Sequence, residues 1–340
     1  MNQTKQQEGG FRRILIIKMS SLGDVIHALP TLYALRQGCP EARITWAVHP
    51  EFDGLLPGKP WLDEIYHVDR KRIKEFSYWK TLRKELGSRH FDLSVDLQML
   101  AKSALVAALA GAGRKVGYWE AREGSWLVSR PLAGPHKEGH IIERLLDVSR
   151  ALGCRPDRIA FPVREHSAET EQVRRLLHES GVTGPYAVCV PGTRGAGKMW
   201  PAGCWTAFLK ELARRRIFAV IAGSPGEKEL GRCIAEDADS PYAVDLTGKT
   251  SLLQLTALEE GASLHLSGDT GPLHIANAVR TPMIALFGPT SPDRSGPYGG
   301  GRSVVLRAPA GENGTVSMTS ITPERVLETF LRIWDPAGRS

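Results

Sequence analysis

The segment with the clearest chemical potential is a glycine-rich stretch that ends in a lysine, GTRGAGK, over residues 192–198. An apolar run over residues 186–190 precedes it and predicts a buried strand. The spacing matches the G-x-x-x-x-G-K part of a P-loop, in which backbone N–H groups and the lysine hold phosphates. The next residue, Met199, lacks the hydroxyl with which a P-loop ATPase holds Mg²⁺. The segment therefore predicts a phosphate site without that magnesium ligand, and a turn that binds nothing is the alternative.

Two further turns between a predicted strand and a predicted helix carry groups suited to a nucleotide. In GDTGPLH, the N–H groups of Thr270 and Gly271 would face an anion at a helix N-terminus. Asp269 would repel a phosphate, so we expect it to orient the loop or to accept a hydrogen bond from a sugar hydroxyl. In GSPGE, the carboxylate of Glu227 is suited to a ribose. A capped turn and a solvated glutamate are the respective alternatives.

A third turn of this kind, SSLGDVIH over residues 20–27, carries a candidate base. It lacks the G-x-G-x-x-G spacing of a dinucleotide-binding fold. Asp24 stands at the start of the predicted helix, where its carboxylate would either satisfy backbone N–H groups of the first turn or act as a general base. His27 lies one turn later on the same helix face, and packing against its neighbours is the alternative to a functional role.

Charge points to an acidic ligand. A basic run, DRKRIK over residues 69–74, would bind an acidic acceptor together with Lys102 and Arg122 if it faced the site, whereas a solvated face is the alternative. The 340 residues include 44 Lys and Arg against 37 Asp and Glu, a net charge of +7. This mild excess suits phosphates or an anionic membrane surface. No RNP, zinc-finger or helix-turn-helix signature indicates nucleic acid.

The five cysteines favour reduced thiols. They are odd in number, scattered and without C-x-x-C spacing, so neither a zinc site nor a disulfide framework is expected. No apolar run reaches the roughly 18–20 residues that span a bilayer. The polar start, MNQTKQQEGG, lacks the apolar core of a signal peptide, and we expect residues 1–10 to form a disordered tail.

Alternating strands and helices must position these turns, and the alternation occurs in two successive halves of the chain. Strands are predicted at 13–18, 44–48, 65–68 and 91–96, and then at 186–190, 218–222, 243–246, 263–267 and 282–287. This rhythm is typical of α/β domains with a parallel sheet, whose ligands bind at the carboxyl ends of the strands. We expect two doubly wound domains, at 11–165 and 166–320, that face each other across a cleft.

Two predicted helices carry a feature that the rest of the fold must accommodate. Pro30 lies inside the first helix and is expected to bend it or to remove a hydrogen bond. The last helix, within residues 321–340, carries an apolar stripe that needs a surface to cover. The stripe consists of Val326, Leu327, Phe330 and Leu331.

Taken in order, these motifs resemble glycosyltransferase family 9, the ADP-heptose:lipopolysaccharide heptosyltransferases. The likeness extends from Arg13 to about Trp334 and rests on IIKMSSLGDVIHALPTL, DLQMLAKS, GYWEARE, KMWP, DLTGKTSL, GDTGPLH and FGPTSP. Each segment is weak alone, but the ordered set is specific. The middle segments are most similar to heptosyltransferase I, the branch that adds the first heptose to Kdo on lipid A. The family loop often has a threonine where Gly192 stands, and it is one residue shorter before the lysine.

The resemblance implies a GT-B fold, in which the first Rossmann-like domain takes the acceptor and the second takes the nucleotide sugar. The final helix would cross back and pack on the first domain. Asp24 is implied as the general base, and Lys198 as the residue that assists the departing diphosphate. The implied donor-binding residues are Thr193, Lys198, Glu227, Asp269, Thr270, Gly271 and His274. The implied acceptor-binding residues are Ser21, Gly23, Arg70, Arg72, Gln98, Lys102, Arg122 and His140.

The implied activity is an inverting, metal-independent transfer of heptose from ADP-L-glycero-D-manno-heptose to the Kdo of Kdo-lipid A, with no further cofactor. A lipid-anchored acceptor implies a cytoplasmic enzyme bound peripherally to the inner face of the inner membrane, and a monomer is the default. Heptosyltransferase II, or another nucleotide-sugar transferase of the same family, is the alternative. Outside that class, a P-loop-like NTPase and a non-catalytic sugar-nucleotide-binding protein remain open.

Overall fold

The computed structural model describes residues 10–310 and 316–335. The chain divides into two compact units, Met1–Arg164 and Glu165–Ser340, one residue before the expected boundary. All but the last residue of the expected N-terminal tail lies outside the described residues, as does the end of the chain from residue 336. In the described ranges, no helix has the length and apolar character needed to cross a bilayer.

The first unit is a doubly wound α/β fold. Its described elements are β1 (Arg13–Ile17), α1 (Leu22–Gly38), β2 (Arg43–Val48), β3 (Glu64–His67), α2 (Phe76–Gly87), β4 (Leu93–Asp96), α3 (Ala101–Ala110), β5 (Arg114–Tyr118), β6 (Arg130–Leu132) and α4 (Ile141–Ala151). The strands form a parallel sheet in the order β3-β2-β1-β4-β5-β6. Residues 14–17 of β1 are fully buried, as expected for a central strand covered by helices on both faces.

The second unit repeats this organisation. Its described elements are α5 (Ser167–Glu179), β7 (Tyr186–Val190), α6 (Ala202–Arg214), β8 (Phe218–Ile221), α7 (Lys228–Ala238), β9 (Ala243–Asp245), α8 (Leu252–Gly261), β10 (Leu264–Gly268), α9 (Gly271–Ala278), β11 (Met283–Phe287), α10 (Pro292–Ser295), β12 (Ser303–Arg307) and α11 (Pro323–Ile333). The strands form a parallel sheet in the order β12-β11-β10-β7-β8-β9. The two parallel α/β sheets expected from the sequence are confirmed.

Strand order reverses once in each sheet, and these reversals determine where ligands can bind. β1 lies between β2 and β4, and β7 lies between β8 and β10. The loops that leave the two strands at a reversal go to opposite faces of the sheet, which opens a crevice at the carboxyl edge. Asp24 follows β1, while the glycine-rich loop and the GDTGPLH turn follow β7 and β10.

The first helix continues through Pro30 as a single element. Every residue from Val25 to Leu35 is buried, and α1 packs along α4. The packing of this buried helix compensates for the backbone hydrogen bond that proline removes.

The last helix packs inside the second unit. Val326, Phe330 and Ile333 belong to the same apolar core as α6, and the Phe330 ring meets the Phe208 ring edge-on at 5.6 Å. The indole N–H of Trp200 donates to the carbonyl of Ile321 at 2.7 Å. α6 of the same unit thus covers Val326 and Phe330 of the apolar stripe, and the packing of this helix back on the first unit stays a prediction.

Replacing Phe330 with alanine tests this packing. The side chain is fully buried, so Phe330→Ala should lower the free energy of unfolding by about 3–5 kcal/mol. Leu331→Ala is the matched control, since that side chain is 43% exposed on the same helix. Urea unfolding with hydrogen exchange on peptides from α6 and α11 reports on the second unit alone. Equal destabilisation by the two variants would show that α11 is not part of this core.

Candidate active site

The glycine-rich loop of the second unit is folded on itself by its own groups. It ends in a short 3-10 helix, Ala196–Lys198. The Thr193 hydroxyl and the Lys198 N–H both donate to the carbonyl of Gly195, at 3.1 and 3.0 Å. Gly195 has a φ of +123°, which L side chains rarely adopt. This glycine therefore allows the turn that brings Thr193 and Lys198 together.

Lys198 is paired with an acid from the neighbouring loop. Its Nζ lies 2.6 Å from Oδ2 of Asp269, and the two side chains are 30% and 12% exposed. Oδ1 of Asp269 lies 4.0 Å from Nε2 of His274, which is on α9. Thr270 is the N-cap of α9 and Gly271 its first residue, so the positive end of this helix lies beside the pair. The structure thus brings Thr193, Lys198, Asp269, Thr270, Gly271 and His274 together.

The two loops touch because β7 and β10 are neighbours. A Cβ built on Gly268 would lie 3.1 Å from Cγ2 of Thr193 and 3.2 Å from the carbonyl oxygen of Lys198. A side chain at position 268 would therefore push the loops apart. Because Gly268 has no side chain, Thr193 and Lys198 can lie close to the end of β10.

Glu227 reaches the start of the same loop through a gap that glycine leaves. Its Oε2 accepts hydrogen bonds from the N–H and the hydroxyl of Ser224, at 2.6 and 2.7 Å. A Cβ on Gly192 would lie 1.8 Å from Oε1 of Glu227, so no larger residue fits while the carboxylate stays in place. Gly192 is the position at which the family often has threonine. In this chain, the space of that side chain is taken by Glu227.

A buried chain of polar side chains supports the Asp269 loop from below. The His265 ring has Nδ1 at 2.9 Å from both carboxylate oxygens of Glu259 and Nε2 at 2.7 Å from the Ser267 hydroxyl. Ser267 in turn donates to the carbonyl of Gly268 at 2.9 Å. A serine, histidine and acid in a row resemble a nucleophilic triad. All three are fully buried, so their arrangement fixes the carbonyl directly before Asp269.

In the first unit, Asp24 is held in a defined orientation at the end of β1. Its Oδ2 accepts hydrogen bonds from the N–H and the hydroxyl of Ser21, at 2.9 and 2.8 Å. Its Oδ1 lies 3.8 Å from Nζ of Lys18, and 45% of the aspartate side chain is exposed. Asp24 therefore satisfies a backbone N–H group at the start of α1, which is one of the two roles expected from the sequence. It also presents a carboxylate to solvent. Gly23 precedes it in the same turn.

The loop after β4 supports the loop that carries Asp24. The side-chain oxygen of Gln98 accepts a hydrogen bond from the N–H of Met19 at 2.8 Å. The buried Lys18 donates to the carbonyl of Leu97 at 3.0 Å. Asp96, the residue before Leu97, accepts hydrogen bonds from the N–H groups of Gln98 and Met99, at 2.9 and 2.8 Å. Burial raises the pKa of Asp96 to about 6.

Lys18 and Asp96 were missed by sequence reasoning, although each leaves a signal. Lys18 is the one charged residue in the apolar run from Ile14 to Met19. Asp96 is the last residue of β4. It pairs with Ile17, the last residue of β1, and the Asp24 loop follows β1. A charge at the carboxyl end of a buried strand is the pattern shared by both residues.

Three other predicted acceptor residues also lie near this reversal. The N–H of Arg122 donates to the carbonyl of Met99 at 3.0 Å, and Lys102 is in the first turn of α3, which follows the same loop. His140 is the N-cap of α4, where its ring accepts from the N–H of Ile142. The His140 and His27 rings meet edge-on with centroids 6.0 Å apart, so His27 is part of the packing of α1 on α4.

The two remaining predicted residues, Arg70 and Arg72, lie further along the sheet. They follow β3, the edge strand, which is two strands away from β1. The Arg70 guanidinium lies 3.5 Å from the Glu51 carboxylate, and that of Arg72 lies 3.2 Å from the Glu75 carboxylate.

The arrangement offers a base in one unit and an anion site in the other. Asp24 is suited to accept a proton from a hydroxyl, and Lys198 with the start of α9 is suited to hold a diphosphate. Within residues 10–310 and 316–335, no group of three or more His, Cys, Asp or Glu side chains is placed to hold a metal ion.

Known proteins are similar to this chain in sequence and in fold. Residues 79–324 match the model of glycosyltransferase family 9 (heptosyltransferase). Lipopolysaccharide heptosyltransferase 1 of Salmonella typhimurium is 27% identical over 299 residues, which cover 84% of this chain and 92% of the relative. Lipopolysaccharide heptosyltransferase 3 of Escherichia coli is 28% identical over 279 residues, which cover 79% and 81%.

A solved structure of similar fold is the E. coli heptosyltransferase WaaC with ADP-2-deoxy-2-fluoro heptose. It has a TM-score of 0.74 and 28% sequence identity, with 94% of this chain and 99% of that chain covered. This similarity, together with the two parallel sheets, confirms the expected GT-B fold class.

The buried carboxyl of Asp96 should make stability depend on pH. Its pKa is raised from 3.8 to about 6 in the fold, so the stability that it contributes is present below about pH 4 and is lost as the pH rises through 6. Asp96→Asn keeps an acceptor oxygen and removes the titration. We expect the free energy of unfolding of the variant, relative to wild type, to rise by about 1 kcal/mol between about pH 5 and pH 8.

Urea unfolding at each pH, with hydrogen exchange on peptides of the first unit, measures this difference. Ser94→Ala is the control, because that buried residue is on the same strand and does not titrate. Its effect should be the same at every pH. An Asp96→Asn effect that is equally flat would show that the carboxyl titrates near its ordinary pKa.

Proposed function

The chain belongs to glycosyltransferase family 9, the heptosyltransferases, and on that premise we propose that it transfers heptose from ADP-L-glycero-D-manno-heptose to the Kdo of Kdo-lipid A. It is thus a glycosyltransferase of lipopolysaccharide core assembly, and this donor and this acceptor are the proposal. The observation that carries it is the Asp24 carboxylate, which is 45% exposed and oriented through one oxygen by Ser21. A base of this kind is what transfer to a hydroxyl requires.

The second unit is proposed to bind ADP-heptose at the Lys198–Asp269 pair. A diphosphate carries more negative charge than one carboxylate, so Lys198 would move from Asp269 to the phosphates. The Thr193 hydroxyl and the N–H groups of Thr270 and Gly271 would complete the anion site. Glu227 would accept hydrogen bonds from the ribose, while Asp269 and His274 would contact the phosphates and the heptose. The ADP-heptose analogue in WaaC supports this class of donor.

The first unit is proposed to bind the acidic acceptor sugar near Asp24. Lys102 and Arg122 lie at the loop after β4 and would pair with the Kdo carboxylate. Ser21, Gly23, Gln98 and His140 would line the remainder of this subsite. Arg70 and Arg72, further along the sheet, would take more distant acidic groups of the acceptor.

The proposed reaction is a single displacement with inversion. Asp24 removes the proton of a Kdo hydroxyl as that oxygen attacks the anomeric carbon of the heptose. The bond between this carbon and the phosphate oxygen breaks, and ADP leaves from the opposite face with the electron pair. Lys198 and the Thr270 and Gly271 N–H groups stabilise the charge on the departing diphosphate. These groups supply the stabilisation without a metal ion or other cofactor.

The proposed setting follows from the acceptor. Because Kdo-lipid A is anchored in a bilayer, we place the enzyme in the cytoplasm, bound peripherally to the inner face of the inner membrane, as a monomer. Incubation with ADP-heptose and Kdo-lipid A, followed by mass analysis, should show one added heptose and released ADP.

Parallel incubations with other acceptors, other nucleotide sugars or ATP would support the alternatives. Transfer only to an acceptor that already carries heptose would indicate heptosyltransferase II, and transfer of a different sugar would indicate another donor. ATP hydrolysis that depends on Lys198 and Mg²⁺ would indicate an NTPase. Donor binding without turnover on any acceptor would indicate a binding protein. Each of these results would contradict the proposed transfer to Kdo.

Asp24→Ala tests the base. General-base catalysis typically contributes about 100- to 10,000-fold, so turnover should fall by at least about 100-fold while donor affinity stays within a few-fold. Asp92→Asn is the control, because Asp92 binds the N–H groups of Arg12 and Arg13 at the start of β1, the opposite end of the strand. The control should keep near-normal turnover. Near-normal turnover of Asp24→Ala would remove Asp24 from this role.

Gly192→Ala tests the position of Glu227 at the donor site. The new methyl group would occupy the place of Oε1 and displace the carboxylate, so affinity for ADP should fall by about 10-fold through loss of a charged hydrogen bond. Gly203→Ala on α6 is the control, since its Cβ would meet nothing within 4 Å. Calorimetry with ADP measures both variants. Unchanged ADP affinity of Gly192→Ala would show that Glu227 does not contact the nucleotide.

A further inference from the structure

Three large apolar side chains are exposed in the first unit. Phe76, Trp126 and Leu127 are 66%, 53% and 83% exposed, and they are the exposed large hydrophobic residues among those described in this unit. We call these three residues the apolar rim. Exposed apolar side chains that lie near one another mark an interaction site.

Topology places the apolar rim at the carboxyl edge of the sheet. Phe76 is the first residue of α2, and α2 packs beside α3 on one face of the sheet. Helices that follow parallel strands begin at the carboxyl edge, so the starts of α2 and α3 lie at that edge. The Ser125 hydroxyl donates to the carbonyl of Met99, which precedes α3, at 3.0 Å. Trp126 and Leu127 therefore lie beside the start of α3.

Exposed cations lie in the segments that carry the apolar rim. Between Asp69 and Lys80, the chain carries five Lys or Arg side chains and two carboxylates. Lys80 lies 5.4 Å from the Phe76 ring, and Lys74 is exposed two residues before that ring. Three further cations are exposed nearby. Arg122 and Arg130 flank Trp126 and Leu127 in the sequence, and Lys102 is in the first turn of α3.

We propose that the apolar rim and its surrounding cations dock the chain on an anionic lipid bilayer. This inference rests on the proposed function, in which the acceptor is lipid-anchored and binds at the same edge of the sheet. The apolar side chains would enter the interfacial layer, where tryptophan is favoured, while the cations would pair with lipid phosphates. A second copy of the chain is a poorer occupant, because its identical surface would bring like charges together.

Docking in this orientation explains why the rim adjoins the acceptor residues. Lys102 is in the first turn of α3 and Arg122 lies four residues before Trp126. A sugar linked to lipid A would rise from the bilayer directly beside these two cations. The chain would then meet its acceptor without withdrawing the lipid chains from the membrane.

Vesicle flotation of the full chain is the test. Wild type should float with vesicles of phosphatidylglycerol and phosphatidylcholine much more than with phosphatidylcholine alone, and added salt should weaken this binding. Trp126→Ser combined with Leu127→Ser should lower affinity for the anionic vesicles by at least about 10-fold. Leu127→Glu should do the same, and its high exposure makes a folding defect from this substitution unexpected.

Leu331→Ser is the matched control, because this exposed leucine is on α11 of the second unit. It should change vesicle affinity by less than about 2-fold. Wild-type vesicle affinity in the rim variants, or an equal loss in the control, would overturn the proposal. A dimer of wild type that the rim variants turn into a monomer would assign the surface to self-association and would also overturn it.

Turnover separates this proposal from the proposed function. Rim variants should transfer heptose normally to a lipid-free Kdo acceptor and more slowly to Kdo-lipid A in vesicles. Loss of turnover on the lipid-free acceptor would assign the rim to the acceptor site and overturn membrane docking. If wild type transferred heptose to neither acceptor, the proposed function would fail, and flotation would still decide whether the rim binds lipid.

Discussion

The reversal of strand order in each parallel sheet is the constraint on which the rest of the structure depends. Because β1 borders β4, and β7 borders β10, loops that are far apart in the sequence leave the sheet side by side. The Asp24 loop thereby gains support from Gln98, and the glycine-rich loop gains Asp269 as a neighbour. Neither loop of a pair could form its site alone, since each supplies only part of the hydrogen bonds and charges at that site.

Each site holds a lysine against an aspartate, but the two pairs differ in a way that matters for function. Lys18 is buried and is also bound to the Leu97 carbonyl, so its ammonium is fixed beside Asp24. Lys198 is 30% exposed and reaches Asp269 across a loop, so an arriving phosphate can compete for it. In the proposed reaction, one lysine would therefore belong to the scaffold that orients the base, and the other would be available to the leaving group. Exposure, rather than the identity of the ion pair, separates the two roles.

Sequence reasoning could predict the sheets and the loops, because apolar strands and glycine-rich turns are local patterns. It could not predict contacts that depend on which strands are neighbours, such as that of Glu227 with Gly192. Lys18 and Asp96 were missed because a charge at the end of a buried strand has no motif of its own. The partner of α11 within the second unit could not be predicted for a related reason. An apolar stripe shows that a helix is covered, and only the fold shows that α6 covers it.

The most direct test of the central claim, that the strand-order reversals are the substrate sites, is a crystal structure of the chain with bound ADP. The account predicts that the diphosphate lies between residues 192–198 and 268–274. Lys198 should have moved from Asp269 to a phosphate oxygen, with the ribose beside Glu227. A nucleotide bound at any other edge of either sheet, with the Lys198–Asp269 pair intact, would contradict the account.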